Sequence, residues 1–284
     1  MRIDLHTHST ASDGTDSPAE LVANAAAAGL DVVAITDHDT TAGWAEAVDA
    51  LPAGLTLVRG MEMSCVGQGE DGYPVAVHLL AYLFDPSDRA FAEERERLRA
   101  ERTDRLRAMA ELMAYDGLPI DPDEVLASAG PSAGRPHLAR ALVAAGVVPS
   151  VDAAFLELLA PHGRYYADKV DTPLRRAVRM IAEAGGVSVL AHTRARKRGR
   201  LLATQDISEL AALGLGGLEV DHPDHSDADR ALLTGLAADL DLFTTGSSDY
   251  HGANKTIELG EFTTGPDQFE RLVAGATGVP VITS

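Results

Sequence analysis

Seven short apolar runs divide this chain, and six of them deliver a histidine or an acid at or near their carboxyl end. The runs are residues 2–6, 31–36, 56–60, 75–83, 187–191, 217–220 and 242–245. His6 and His8 close the first, His38 follows the second and Glu62 the third. His78 lies in the fourth, His192 ends the fifth, and Asp249 and His251 follow the last. Each run has the length of a buried strand, with helical patterns between several of them. Strands alternating with helices predict an α/β fold built on a parallel sheet, open or closed into a barrel. In such folds ligands and catalytic groups converge on the carboxyl edge of the strands. Histidines scattered through a core would show no such phase. The pattern therefore predicts one shared polynuclear metal site. His6 and His8, two apart on an extended strand, share a face and suit one ion.

The helices are signalled locally. Ser17-Pro18-Ala19-Glu20 reads as a capping box with proline at the first helical position, and Gly29 closes that helix. Thr172-Pro173 opens another that ends at Gly185-Gly186, and residues 227–240 and 266–274 give two more. From 86 to 164 the alternation stops: helical patterns over 91–115, 121–128, 137–145 and 151–159 follow one another without a convincing strand. This predicts a barrel domain from 1–85 and 165–284 with a helical insertion, 86–164, lying over its mouth. The mixed Glu and Arg of 91–115 suit a solvated helix face.

The single cysteine, Cys65, excludes a disulfide framework and a thiolate metal cluster, and is expected to be a small buried apolar residue. No signal segment opens the chain and no apolar stretch spans a bilayer, so a cytoplasmic protein without membrane contact is expected. A net charge of −19 argues against duplex nucleic acid as a partner. It does not exclude an anionic substrate, because bound ions invert the local charge.

His6-Thr7-His8-Ser9, Asp13-Gly14, Thr36-Asp37-His38-Asp39, Gly60-Met61-Glu62, Ala191-His192 and the Gly246–His251 stretch resemble the PHP (polymerase and histidinol phosphatase) family. The Gly134–Arg140 stretch, Gly-Arg-Pro-His-Leu-Ala-Arg, is similar to its stand-alone phosphoesterase branch, which includes a 3′,5′-nucleoside bisphosphate phosphatase and a 5′-to-3′ exoribonuclease. The resemblance implies a distorted (β/α)7 barrel holding three divalent ions. His6, His8, Glu62 and Asp249 would hold the first. Glu62 would bridge to a second, completed by His78 and His192. Asp13, His38 and His251 would hold the third. Asp13 stands where other branches carry histidine. That harder oxygen ligand favours Mn²⁺ foremost, with Mg²⁺ or Fe²⁺, over Zn²⁺.

Three carboxylates facing three divalent ions leave a formal charge of about +3, which attracts a phosphate dianion. Paired ions can activate a bridging water and polarise phosphoryl oxygens. The expected nucleophile is a metal-bridging hydroxide held by Glu62, His192 and Asp249, with no covalent intermediate. Phosphate also calls for cationic clamps. Arg135, His137, Arg194 and Lys169 are the candidates; Arg194 heads a cluster with Arg196, Lys197, Arg198 and Arg200. His162, His222 and His225 are expected in loops or behind the site, Asp37 and Asp39 to orient ligands, and Trp44 to pack.

These readings converge on a metal-dependent phosphoric ester hydrolase for a small nucleotide-like phosphate, either a nucleoside 3′,5′-bisphosphate or a short oligonucleotide end. A histidinol-phosphate phosphatase is an alternative, though no imidazole-recognition signature is evident. Hydrolysis of C–N bonds would leave the arginines unexplained. A non-catalytic, structural PHP module would not need every ligand position filled. The sequence leaves the oligomeric state open.

Overall fold

The computed structural model describes residues 1–161 and 163–284; His162 lies outside the described residues. In chain order the strands are β1 (Ile3–Asp4), β2 (Val32–Ile35), β3 (Thr56–Gln68), β4 (Pro74–Tyr82), β5 (Thr172–Pro173), β6 (Val187–Leu190), β7 (Gly217–Asp221), β8 (Phe243–Gly246) and β9 (Ile282–Thr283). The main sheet runs β1-β2-β3-β4-β6-β7-β8, while β5 and β9 pair with β3. All seven apolar runs thus become its strands. Between β1 and β8 the wall is joined by the Thr7–Tyr250 bridge, where the His8 amide donates to the Tyr250 carbonyl at 2.8 Å. The result is a nearly closed, distorted (β/α)7 barrel.

The sheet is not parallel throughout, as the alternation predicts. β4 runs antiparallel to both β3 and β6. Residues 69–73 are too few for a crossover, so β3 and β4 form a hairpin. β3 is 13 residues long, well past the predicted end at 60, and carries Glu62 inside it. The reversal brings the first half of β4, with His78, to the rim reached by the ends of the parallel strands.

Alternate residues face opposite sides of the sheet. Ile3, Leu5, Ala34, Val58, Leu80 and Val189 form an inner cluster. Val33, Ile35, Leu57, Leu79 and Leu190 form an outer one, with buried residues of the surrounding helices. Those helices are α1 (Pro18–Ala27), α2 (Trp44–Asp49), α7 (Leu174–Glu183), α8 (Thr204–Ala212), α9 (Asp227–Asp239) and α10 (Pro266–Gly275). The Ser17–Glu20 capping box is present. α8 has no counterpart in the sequence reading. Thr172-Pro173 pairs with β3 as β5 rather than opening α7. Trp44 is buried and donates to the Gly60 carbonyl at 2.8 Å, a packing role. Cys65 is buried on β3.

The intervening helices are α3 (Arg89–Tyr115), α4 (Pro122–Ala127), α5 (Arg135–Ala144) and α6 (Val151–Glu157). At 27 residues α3 is about 40 Å long. Its first half buries Phe91 and Leu98 in the outer barrel cluster. Its second half buries Leu106, Met109 and Met113 in a separate cluster with Leu138 and Leu142 of α5. No helix among the described residues is long and apolar enough to cross a membrane.

Candidate metal centre

Glu62 and His78 follow from strand phase. Glu62 lies four positions after Val58 and His78 two before Leu80, so both continue the inner face of the barrel at its rim. His192 and Asp249 need a different device. Both have positive φ, 30° and 54°, a conformation few side chains other than glycine adopt. Each sits just past its strand, where the turn redirects the side chain. Asp39, also at φ 54°, performs the same turn after β2. Such strain clusters where surrounding structure over-determines the backbone.

All nine predicted metal-type residues meet on this rim. His6 Nε2 and His8 Nε2 face one another at 3.1 Å, and lie 3.2 and 3.1 Å from Glu62 Oε2. Both are 3.5 Å from Asp249 Oδ1. His78 Nδ1 and His192 Nε2 approach the other Glu62 oxygen at 2.7 and 2.9 Å. Asp13 lies 3.6 Å from His38 Nε2 and 3.4 Å from His251 Nε2. Donor atoms close enough to share an ion fall into three groups: His6–His8–Glu62–Asp249, His8–Asp13–His38–His251 and His38–Glu62–His78. The groups overlap more than the resemblance implies. His8 joins the Asp13 group, and His38 joins Glu62 and His78.

These residues fit divalent ions. His38 Nδ1 is buried and makes no hydrogen bond although Glu62 Oε2 is 3.1 Å away. His6 donates from Nδ1 to Glu219 Oε1 at 3.0 Å, which directs its Nε2 towards His8 Nε2 and Glu62, where an ion would take it. Imidazole nitrogens and carboxylate oxygens turned inward on one another are a ligand set for borderline and hard cations.

The electrostatics agree. Burial raises the Glu62 carboxyl, but His78, His6 and His38 outweigh it and hold it well below the ordinary range. Burial likewise opposes ionisation of Asp249, while Lys255, His6 and His251 bring it down. Asp13 is lowered against its burial by His38 and His251. Burial, reinforced by Arg198, lowers His192 to about 3. Burial and Lys255 lower His251 to about 4. These two imidazoles are neutral and ready to ligate at neutral pH.

Glu219 is one residue that sequence reasoning missed. Fully buried on β7, it takes His6 Nδ1 on one oxygen and the His192 amide, at 2.6 Å, on the other. It thereby fixes the His6 tautomer and the strained His192 turn. Its only sequence signal is an acid inside an otherwise apolar strand. Asp37 and Asp39 act one step further back. Asp37 accepts from Ser9 and Ser12, at 2.7 and 2.6 Å, and Asp39 from Ser64 at 2.7 Å. His222 is buried, with Nε2 3.4 Å from Asp249 Oδ2, and His225 accepts the Arg194 amide at 3.1 Å. Both back the site, as expected.

The cations are arranged differently from the sequence reading. Arg194 is buried against Glu70, at 2.6 Å, and within 3.9 Å of Asp229, so acids other than the nine hold it. Arg198 is the member of that cluster that reaches the centre, donating to Asp249 Oδ2 at 2.8 Å. Lys255 joins it on the same oxygen at 2.6 Å. His137 is buried, its ring bonded to the backbone of Gly134. Arg135 stacks on Phe155 and Tyr166 at 5.3 and 5.7 Å and donates to the Leu159 carbonyl. Lys169 pairs with Asp171.

A second group of cations gathers beside the first. Arg102 on α3 is buried and pairs with Asp39, while donating to Ser64 Oγ at 2.8 Å. One turn on, Arg105 is half-buried, and no salt bridge to it is found among the described residues. Burial and the charges of Arg135 and Arg102 lower Arg105 to about 9. Burial and Arg102 bring Lys169 well below its ordinary value. Arg102 also acts on His38, so this positive region borders the metal-type residues. Arg102 and Lys169 are each paired with an acid, Asp39 and Asp171, so among the described residues the unpaired positive charge of this group centres on Arg105 and Arg135.

A barrel rim that gathers imidazoles and carboxylates able to hold metal ions, with cations beside them, suits a metal-dependent phosphoric ester hydrolase. The chain belongs to the PHP family: the PHP domain model matches residues 4–143. A 5′-3′ exoribonuclease of Haemophilus influenzae is 31% identical over 92% of this chain and 93% of its own length. A 3′,5′-nucleoside bisphosphate phosphatase of Chromobacterium violaceum is 33% identical over 88% of this chain and 87% of its own. The crystal structure of a protein from Bifidobacterium adolescentis, described as a metal-dependent phosphoesterase, matches with a TM-score of 0.89 and 38% identity, over 97% of this chain and 96% of that one.

Proposed function

We propose that the chain hydrolyses a small nucleotide that carries a second phosphate: a nucleoside 3′,5′-bisphosphate, or the end of a short oligonucleotide. The observation that carries this is the crowding of Arg102, Arg105, Arg135 and Lys169 beside the metal-type cage. A monophosphate would need the cage alone. The barrel comprises 1–85 and 165–284 and contributes Lys169, while the insertion, 86–164, overhangs its mouth with Arg102, Arg105 and Arg135. The bisphosphate phosphatase and exoribonuclease relatives support the substrate class.

His6, His8, Glu62 and Asp249 would hold one ion, Glu62, His78 and His192 a second, and Asp13, His38 and His251 a third. Mn²⁺ is the foremost candidate, ahead of Fe²⁺, Mg²⁺ or Zn²⁺. When bound, the ions supply Lewis-acid polarisation of the phosphoryl oxygens and an activated water as nucleophile. The chain's own groups do the rest. Glu62, His192 and Asp249 orient the reacting face of the cage. Glu219 keeps His6 protonated on Nδ1. Arg198 and Lys255 neutralise the outer oxygen of Asp249 and flank the entering phosphate. Arg105 and Arg135 hold the second phosphate, which makes the enzyme selective for substrates that carry one. The reaction takes place in the cytoplasm.

A phosphatase panel with Mn²⁺ tests this. Nucleoside 3′,5′-bisphosphates and short RNAs are expected to turn over with kcat/KM well above that of nucleoside monophosphates. Arg105→Ala is expected to raise KM for the bisphosphate roughly tenfold or more, as loss of a charged hydrogen bond implies, with monophosphate turnover unchanged. Bisphosphates no better than monophosphates would overturn the substrate assignment, and histidinol phosphate as the preferred substrate would replace it.

A further inference from the structure

Residues 130–140 of the insertion are built directly against the loop that presents Asp13. At Gly130, with φ 62°, a Cβ would come within 3.0 Å of the Thr10 carbonyl oxygen. Gly134 backs onto Asp13 itself: a Cβ there would lie 3.5 Å from Oδ2. The buried His137 ring bonds the Gly134 backbone at 3.1 Å, and both Ser12 and Asp13 act on its charge. Arg140 Nη1 donates to the Asp13 carbonyl at 3.3 Å. From the barrel side, Asn254 donates to the same carbonyl at 2.6 Å. The Asp13 loop is therefore gripped from two sides, one of them the insertion.

The other members of that ion group are not held this way. His38 is carried by its backbone bridge to Glu62 on β3. His251 bonds the Asp249 carbonyl through Nδ1 at 2.8 Å. The remaining predicted ligands project from barrel strands or the turns just after them. Among the described residues of this ion group, Asp13 is the one whose own backbone carbonyl takes a hydrogen bond from α5.

We infer that helix α5 is part of the Asp13–His38–His251 ion site, with His137 and Arg140 as positioning residues for the Asp13 loop. Retention of that one ion depends on the insertion, while the other two depend on the barrel. Arg135 opens the same helix, so the helix that faces the second phosphate also secures the third ion. The inference rests on the ligand assignment proposed above. It gives His137 a role distinct from touching phosphate.

The test is metal content. Protein loaded with Mn²⁺ and gel-filtered is analysed by mass spectrometry for ions per chain, and free Mn²⁺ is followed by electron paramagnetic resonance during titration. Wild-type protein is expected to hold three ions. Arg140→Ala and, separately, His137→Asn are expected to hold two, with the weakest affinity reduced about 10–100-fold, the range for groups that orient a metal ligand. Arg140→Lys is expected to recover part of the loss. Circular dichroism checks folding, and the partly exposed Arg140 carries the test if the buried His137 variant does not fold. Three ions at wild-type affinity in Arg140→Ala would overturn the inference, as would loss of all three together from a folded variant. Wild-type protein holding fewer than three would instead overturn the ligand assignment, and the inference with it.

Discussion

His8 shows how single residues couple the cage to protons. Burial alone would lower its pKa, but hydrogen bonds to Asp249 and Glu62 outweigh it and push it up to about 9. His6 is raised in the same way, with Glu62 and Glu219 outweighing its burial. A raised value means that the metal-free imidazole keeps its proton at pH 7.5. The stabilisation this gives the metal-free fold is complete below the unfolded value near 6.5 and is lost as pH rises through about 9. An ion taking Nε2 must displace that proton. Mn²⁺ affinity is therefore expected to rise with pH up to about 9, and binding at pH 7.5 to release protons. Calorimetry in two buffers of different ionisation enthalpy checks this; identical heats would refute it. His192 and His251, lowered to about 3 and 4, release none at that pH.

Among the elements, α3 carries a buried polar contact at its middle. Arg102, between the stretch that packs in the outer barrel cluster and the stretch that packs with α5, pairs with Asp39 and reaches Ser64. Removing the arginine leaves Asp39 buried without its counter-charge, a change that costs about 3–5 kcal/mol in comparable sites. Arg102→Met is expected to destabilise by that order, measured by urea unfolding, whereas Arg89→Ala on the exposed start of the helix is expected to cost less than about 0.5 kcal/mol. The elements were legible in the sequence where hydrophobic period and caps agreed. The seven apolar runs are the seven strands of the main sheet, and the Ser17 box starts α1 at Pro18. Strand direction was not legible, because periodicity is the same in either sense and only the five-residue 69–73 connection betrays the hairpin. Most of the cage was visible as histidines and acids in phase with strand ends. Glu219 and Lys255 were not, since an acid in an apolar run or a lysine in a loop acquires meaning only from what the fold puts beside it. Arg198 was visible as part of a cluster, but which arginine turns inward depends on the acids that claim the others.

For the molecule as a whole, the proposed ions are stability as well as chemistry. Buried carboxylates and imidazoles from across the chain converge on one rim of a protein whose net charge is −19. A ligand that binds only the folded state adds about 2.7 kcal/mol when present at one hundred times its Kd. For a chain of this size each such kcal/mol corresponds to roughly 2–4 °C in Tm. Chelation is expected to lower Tm by several degrees, and Mn²⁺ to restore it, in a thermal melt followed by circular dichroism. A Tm indifferent to chelator would count against tight binding.

The bridge between Thr7 and Tyr250 carries one more consequence. The staves it joins are among the first and last of the barrel to leave the ribosome, and the donors flanking it, His8 and His251, come from the same two stretches. No nascent chain can finish the cage until translation has passed His251. Ions that rely on Asp249 or His251 would therefore be captured late, whereas Glu62, His78 and His192 are already made by then.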